Sequence, residues 1–163
     1  MTTLGLLPRL FLVAPGLLQI FTALGQNTPI KLEVDATDAP RKLLHARLLI
    51  PAQSGKLTLL YPKWLPGEHG PNGPVTDLVG LKMSAGGRAI EWKREPDDMF
   101  AFDIQVPSGA SAIEVTLDFL SPPNSGQFSS GASATAQLLD LNWNEVLLYP
   151  KGAGRARFSM PPA

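Results

Sequence analysis

The sequence predicts an all-β protein, an antiparallel β-sandwich of short strands joined by long loops rich in proline and glycine. Apolar and polar residues alternate in several runs, which is typical of strands with one buried face. The 163 residues include 16 prolines and 15 glycines, a content that favours many turns over long helices. After residue 25, no run shows the apolar spacing of an amphipathic helix of three turns.

The alternation is clearest in four runs, at residues 30–36, 43–50, 99–106 and 113–120. In each run one parity is apolar and is predicted to face the core. The predicted core residues are Ile30, Leu32, Val34, Leu44, Ala46, Leu48, Ile50, Phe100, Phe102, Ile104, Val106, Ile113, Val115, Leu117 and Phe119. The stretches "GKLTLLY", "DLVGLKM", "RAIEWKRE" and "RARFSM" are weaker strand candidates. In the third of these, Trp92 alternates with Ile90, which indicates a place in the core or between the sheets.

Turn residues separate the predicted strands. "LKMSAGGRAIEW" is typical of a hairpin whose turn contains Gly86 and Gly87. "EPDD", at residues 95–98, is interpreted as a turn, since proline presets φ and aspartate bonds to its own backbone. The polar tract at residues 121–137 is interpreted as a long loop inside one domain, with a domain linker as the alternative.

The first 25 residues have the layout of a secretory signal peptide. Arg9 precedes an apolar run, and Ala23 and Gly25 supply small residues at the positions that signal peptidase requires. We therefore expect a signal peptide at 1–25 and one β-sandwich domain at 26–163. This interpretation predicts a secreted or periplasmic protein with no membrane association after cleavage.

The composition excludes several classes of function. The 14 basic and 14 acidic residues leave no electrostatic footprint for nucleic acid. The chain has no cysteine, so thiolate metal sites and cysteine nucleophiles are excluded. The two histidines, His45 and His69, do not form HExxH, and no third nitrogen or sulfur ligand exists. Motifs for a serine nucleophile elbow or a phosphate-binding loop are also missing. The sequence therefore predicts no catalytic residue and no metal ligand.

Two further groups of polar residues have simple structural interpretations. His45 lies on the polar parity of its predicted strand, which predicts a surface or edge histidine rather than a general base. Asp97 and Asp98, with Glu91 and Glu95 nearby, resemble acid–base partners or calcium ligands only superficially, because the turn at 95–98 accounts for them.

The stretch "YPKWLPGEHGPNGP", residues 61–74, combines prolines and glycines with Trp64 and the pair Glu68–His69. Its prolines remove amides that a phosphate cradle would need. We interpret it as a stiff corner anchored by Trp64, because a tryptophan can bury apolar area that the rest of the loop lacks. The alternative is that Trp64 and Trp143 stack on a ligand.

These residues resemble the N-terminal domain of M61 peptidases, the glycyl aminopeptidase-like gluzincins. The family has a Trp-x-Pro-Gly motif after a strand, which matches here at Trp64, Pro66 and Gly67. A strand and a hairpin follow, as in the family. "LNWNEVLLYPKG" also resembles the segment in which that domain approaches its catalytic neighbour. The resemblance covers residues 29–160.

Two departures from the family pattern stand out. Family members commonly continue with Ser-Tyr after Pro-Gly, whereas this chain has Glu68–His69. The HExxH helix and the downstream glutamate that carry the zinc chemistry are missing from the sequence. The resemblance therefore implies a fragment or a truncated gene product, with no cofactor of its own and zinc expected in a catalytic domain that this chain lacks.

The resemblance implies the non-catalytic N-terminal domain of a secreted zinc aminopeptidase-like protein, which packs on a metallopeptidase domain and walls its substrate cleft. The expected partners are that catalytic domain and a peptide substrate. The implied contact residues, on a loop facing the catalytic domain or substrate, are Trp64, Pro66, Gly67, Glu68 and His69. Glu68 is a chemically reasonable partner for the α-ammonium group of a peptide.

Two other interpretations stay open from the sequence. One is a free-standing exported β-sandwich that binds a carbohydrate or a protein through Trp64 and Trp143. The other is a structural subunit that binds no ligand.

Overall fold

The computed structural model describes residues 28–65, 67–121, 133–134, 138–153 and 155–159. The strands are β1 (Ile30–Asp35), β2 (Leu43–Pro51), β3 (Gly55–Leu60), β4 (Leu78–Ala85), β5 (Arg88–Ile90), β6 (Trp92–Arg94), β7 (Ala101–Val106), β8 (Ala112–Leu120), β9 (Ser133–Ala134), β10 (Leu139–Asp140), β11 (Tyr149–Pro150) and β12 (Phe158–Ser159). Short 3₁₀ turns occur at Ala39–Arg41 and Trp143–Glu145. The predicted signal peptide, Pro66 and most of the 121–137 tract lie outside the described residues.

Two antiparallel-dominated sheets pack against each other, which confirms the predicted sandwich. The larger sheet has the strand order β12-β1-β2-β8-β4-β5, and the smaller has the order β11-β3-β7-β6. Strands β9 and β10 form a separate pair. Among these pairings, β1 with β12 is parallel and the others are antiparallel. No helix in the described part of the chain is long and apolar enough to cross a membrane.

The core forms where the alternating runs face each other across the two sheets. The apolar parity of β2, β7 and β8 is buried, as the sequence predicts, and in β1 Val34 is half-buried. Ala101 is also buried, although it lies on the opposite parity of its strand. The turn at 95–100 covers the start of β7, where Glu95 donates its amide to the Ala101 carbonyl. The other strand positions of this parity in β7 carry polar residues, whereas this covered position carries a small apolar one.

The hairpin between β4 and β5 confirms the predicted turn at Gly86 and Gly87. Ala85 pairs with Arg88, so these two glycines alone make the turn. Their φ values are +54° and +77°, the left-handed conformation that a two-residue type I′ hairpin requires. The following run, "RAIEWKRE", is not one strand, because β5 belongs to the larger sheet and β6 to the smaller. The chain changes sheets at Glu91.

Trp92 connects the two sheets. From β6 its indole Nε1 donates to the Leu81 carbonyl of β4 at 3.1 Å. That carbonyl lies in an irregularity of the β4–β8 pairing between Val79 and Lys82. The ring also packs edge-on against Phe102, with centroids 5.4 Å apart. The predicted inter-sheet role of Trp92 is confirmed.

The Trp92→Phe substitution should lower the free energy of unfolding by about 1 kcal/mol, because it keeps most of the ring packing and removes the bond to the Leu81 carbonyl. Urea denaturation followed by circular dichroism measures this difference. The control is Trp143→Phe at an exposed position, which should stay within about 0.5 kcal/mol of the parent chain. Equal effects of the two substitutions would contradict the assigned role of the indole bond.

One end of the sandwich collects most of the long connections, and we call it the loop end. The 61–77 connection leaves β3 there and enters β4 in the other sheet. At this end Leu120 donates its amide to the Asp77 carbonyl, and Ser121 donates its amide to the Lys42 carbonyl. The segments at the loop end are 36–42, 61–77, 95–100 and 141–148.

Candidate functional site

The candidate site is the Pro-rich loop, residues 61–74, at the loop end. Tyr61 follows β3 and continues the buried parity, with only 1% of its surface exposed. Its amide donates to the Phe100 carbonyl at 2.8 Å, and its hydroxyl donates to the Glu145 carbonyl at 2.9 Å. Burial strongly raises the pKa of the Tyr61 phenol, so the hydroxyl remains a donor. Tyr61 therefore anchors the start of the loop in the core.

The two arms of the loop meet where Gly73 contacts Pro62 and Lys63, and we call this point the neck. Gly73 donates its amide to the Lys63 carbonyl at 3.0 Å. A Cβ on Gly73 would lie 2.0 Å from the Pro62 carbonyl oxygen and 2.9 Å from the Cα of Lys63, so only glycine fits. Within the loop, the Asn72 side-chain amide donates to a carboxylate oxygen of Glu68 at 3.1 Å. Hydrogen bonds within the loop therefore hold its two arms together.

Trp64 does not anchor the loop, which corrects the interpretation drawn from the sequence. Its side chain is 62% exposed, because it points away from the core beyond the neck, while Tyr61 fills the core position. Trp64 borders a small pocket of about 120 Å³. The other residues that line it are Leu60, Tyr61, Pro62, Lys63, Asp98, Phe100 and Tyr149.

The turn at 95–98 supports one wall of this pocket. Asp98 accepts the Phe100 amide at 3.1 Å, which confirms the predicted Asp turn. Lys63 donates to the same carboxylate at 2.9 Å, and its ammonium lies 5.9 Å from the centre of the Phe100 ring. The bond from Lys63 is the main cause that lowers the pKa of Asp98. This ion pair connects the Pro-rich loop to the neighbouring turn.

Four large apolar side chains are exposed at the loop end. They are Trp64, Met99, Leu120 and Trp143, with 62%, 50%, 44% and 48% of their surfaces exposed. Trp143 begins the 3₁₀ turn whose last residue, Glu145, accepts the Tyr61 hydroxyl. Exposed apolar residues that gather at one end of a domain are typical of an interaction surface.

The residues implied by the family resemblance lie together on the Pro-rich loop, although Pro66 is outside the described residues. Gly67 and His69 are exposed, and Glu68 is half-buried. Gly67 has a φ of +88°, a conformation that favours glycine. Their predicted role in binding stays a prediction.

The sequence did not reveal a second polar cluster, on the outer face of the larger sheet at the loop end. His45 lies there as a partly exposed histidine, as predicted, but its two ring nitrogens face two carboxylates. Nδ1 is 2.7 Å from Asp118 and Nε2 is 3.4 Å from Asp38. Hydrogen bonds to Asp118 first and Asp38 second raise the pKa of His45. The sequence signal was weak, because His45 and Asp118 are 73 residues apart and only the β2–β8 register brings them opposite each other.

The arrangement of His45, Asp38 and Asp118 is not that of a metal site. In the part of the chain that the structure describes, no group of three or more His, Asp or Glu side chains is arranged to hold a metal ion. We therefore assign no zinc-dependent step to this chain.

The described residues thus form an all-β sandwich with a closed Pro-rich loop and exposed apolar side chains at one end. The sequence matches the Peptidase M61 N-terminal domain over residues 31–160, and the chain belongs to that family. None of the curated proteins that were compared matches the chain significantly.

The fold is similar to that of an aminopeptidase N family protein from Idiomarina loihiensis, known from a crystal structure. The TM-score is 0.61 and the identity is 17%, over 82% of this chain and 22% of that one. At this identity the likeness shows the fold alone. The chain spans about a fifth of that protein's length.

Proposed function

We propose that this chain is the non-catalytic N-terminal domain of a secreted or periplasmic zinc aminopeptidase-like protein. Its loop end packs on a metallopeptidase domain and walls the substrate cleft. The observation that carries this proposal is the exposed Trp64 at the loop end of a domain of the M61 family.

The loop end has the properties of a docking surface. Trp64 extends from a loop whose neck and internal bonds hold it in place, so little conformational entropy is lost when a partner covers it. Buried aromatic side chains supply much of the binding energy in protein interfaces. Met99, Leu120 and Trp143 are further exposed apolar side chains at the loop end. Zinc, in this proposal, belongs to the partner domain.

Glu68 gives the same surface a polar group. Its carboxylate is oriented by Asn72 at 3.1 Å. A carboxylate held in this way is suited to accept a charge-assisted hydrogen bond from the α-ammonium group of a peptide. Together with the exposed His69, it would make the polar edge of the cleft.

The genomic sequence after the codon for Ala163 provides the first test. It is expected to encode HExxH with a glutamate some tens of residues later.

The metallopeptidase domain encoded there, produced separately, should bind this chain in calorimetric titration. Trp64→Ala should weaken this binding and raise Kd about tenfold or more. This chain alone, supplied with zinc and a glycyl substrate, should show no cleavage.

Leu49→Ala provides the matched control. Leu49 is an exposed apolar residue on β2, about 20 Å along the strand from the loop end. The Leu49→Ala substitution should leave the Kd for the partner domain unchanged. An unrelated downstream sequence, equal effects of the two substitutions, or zinc-dependent cleavage by this chain would each contradict the proposal.

The second candidate function is a carbohydrate- or protein-binding module. It is favoured by the exposure of two tryptophans, Trp64 and Trp143, which offer flat apolar faces. Tight binding of an oligosaccharide that is lost in Trp64→Ala would support this function over the first.

A further inference from the structure

We propose that Asp38, His45 and Asp118 form a pH-dependent clasp, in which the protonated imidazole fixes the turn of residues 36–42 to strands β2 and β8. Asp118 lies opposite His45 in the β2–β8 pairing, and its carboxylate is 2.7 Å from Nδ1. Asp38 lies in the 36–42 turn, and its carboxylate is 3.4 Å from Nε2. This inference does not depend on the proposed function.

The number of carboxylates to which the ring can donate depends on its protonation state. A neutral imidazole carries one N–H, so it can donate to only one of the two carboxylates. An imidazolium donates from both nitrogens and is attracted by both negative charges. Because neither carboxylate has a proton to offer when ionised, the two contacts made together select the charged ring.

The neighbouring strands favour the same charge state. On β1, Asp35 pairs directly with His45 and adds a third negative group, although its carboxylate also accepts the Thr37 amide. On β8, Asp118 is the facing group. The pairing of β4 with β8 leaves room for this carboxylate, because a Cβ on Gly80 would lie 2.6 Å from it.

The two arginines near the ring are themselves paired with carboxylates. On β2, Arg47 pairs with Glu33 at 3.2 Å and with Glu114 at 2.5 Å. In the 36–42 turn, Arg41 binds the other oxygen of Asp38 at 3.2 Å. Arg41 therefore shares Asp38 with His45, while His45 is the residue that contacts both Asp38 and Asp118.

The clasp adds a polar contact to a turn that is also held by Ala39, which is buried in the core. Besides bonds within the turn, Leu43 donates its amide to the Asp38 carbonyl at 3.3 Å and Ser121 donates to the Lys42 carbonyl at 2.9 Å. Lys42 itself has a φ of +65°, an unfavourable conformation for a residue with a side chain. Loss of the His45–Asp38 attraction should therefore increase local opening of this turn.

The direction of the pH effect follows from linkage. The pKa of His45 is raised in the folded chain, so its contribution to stability is complete below the ordinary histidine value near 6.5. That contribution decreases as the pH rises through the raised pKa. The turn should accordingly be most closed at mildly acidic pH.

NMR titration of the two histidine rings in the full chain tests the clasp. The His45 midpoint should lie above the ordinary histidine value, and both Asp38→Asn and Asp118→Asn should lower it. Asp97→Asn, at an exposed position in the 95–98 turn, is the matched control and should leave the His45 midpoint unchanged. An unraised His45 midpoint, or one that neither substitution moves, would overturn the proposal.

Amide hydrogen exchange tests the coupling to the turn. After correction for the intrinsic rate, exchange at Leu43 and Ser121 should become several-fold faster when the pH rises through the His45 midpoint. In His45→Gln this change should disappear, while amides in the middle of β8 behave as in the parent chain. The same pH dependence in His45→Gln and in the parent chain would overturn the coupling.

Discussion

Tyr61→Ala is expected to lower the free energy of unfolding by about 3–5 kcal/mol, more than any other substitution in the Pro-rich loop. The side chain is almost fully buried, and its hydroxyl satisfies the Glu145 carbonyl at 2.9 Å. Removal leaves both a cavity and a buried acceptor without its donor. Chemical denaturation monitored by circular dichroism measures the change.

Two variants separate the causes. Tyr61→Phe keeps the ring and should cost only about 1–3 kcal/mol, the part that belongs to the hydrogen bond. Trp64→Ala removes a larger but exposed side chain and should change stability by no more than about 0.5 kcal/mol. If Trp64→Ala were as destabilising as Tyr61→Ala, the assignment of Tyr61 as the anchor would be wrong.

Gly73→Ala is expected to lower the free energy of unfolding by about 3 kcal/mol, which corresponds to a fall in melting temperature of roughly 6–12 °C. The new Cβ would lie 2.0 Å from the Pro62 carbonyl oxygen, so the neck of the Pro-rich loop must open. Differential scanning calorimetry measures the shift. The proposed docking to a partner domain should weaken as well, because Trp64 extends from this loop.

Gly70→Ala is the matched control in the same loop. There the nearest atom to a new Cβ is the side-chain oxygen of Asn72 at 3.3 Å, and a side chain can move by a few tenths of an ångström. A change below about 1 kcal/mol is expected. Similar losses for Gly70→Ala and Gly73→Ala would contradict the role of the neck.

The sequence predicted the strands well where alternation was strict, because one face of each long strand is buried against the other sheet. Strands β2, β7 and β8 follow the predicted parity, and the Gly86–Gly87 turn is present. The prediction was wrong at "RAIEWKRE", which divides between two sheets. Its alternation continues across Glu91, so a local pattern contains no sign of the change.

The site was predicted in part. The residues of the Pro-rich loop and their family were recognisable because Trp64, Pro66 and Gly67 form a local motif. The anchoring residue was assigned wrongly, since Tyr61 and Trp64 are both aromatic and neighbouring. Which of them is buried depends on which side chains of β3 and the residues after it face the other sheet, and that is decided only by tertiary packing.

By itself, the sequence determined the all-β fold class, the parity of the long strands and membership of the M61 N-terminal family, because these depend on local patterns of polarity and on a local motif. Only the tertiary structure decided that His45 lies between Asp38 and Asp118, that Gly73 closes the loop neck against Pro62, and that Trp64 faces solvent. Each of these facts depends on strand register or on a contact between segments distant in the chain. No short-range pattern specifies such contacts, because they arise only when the two sheets pack together.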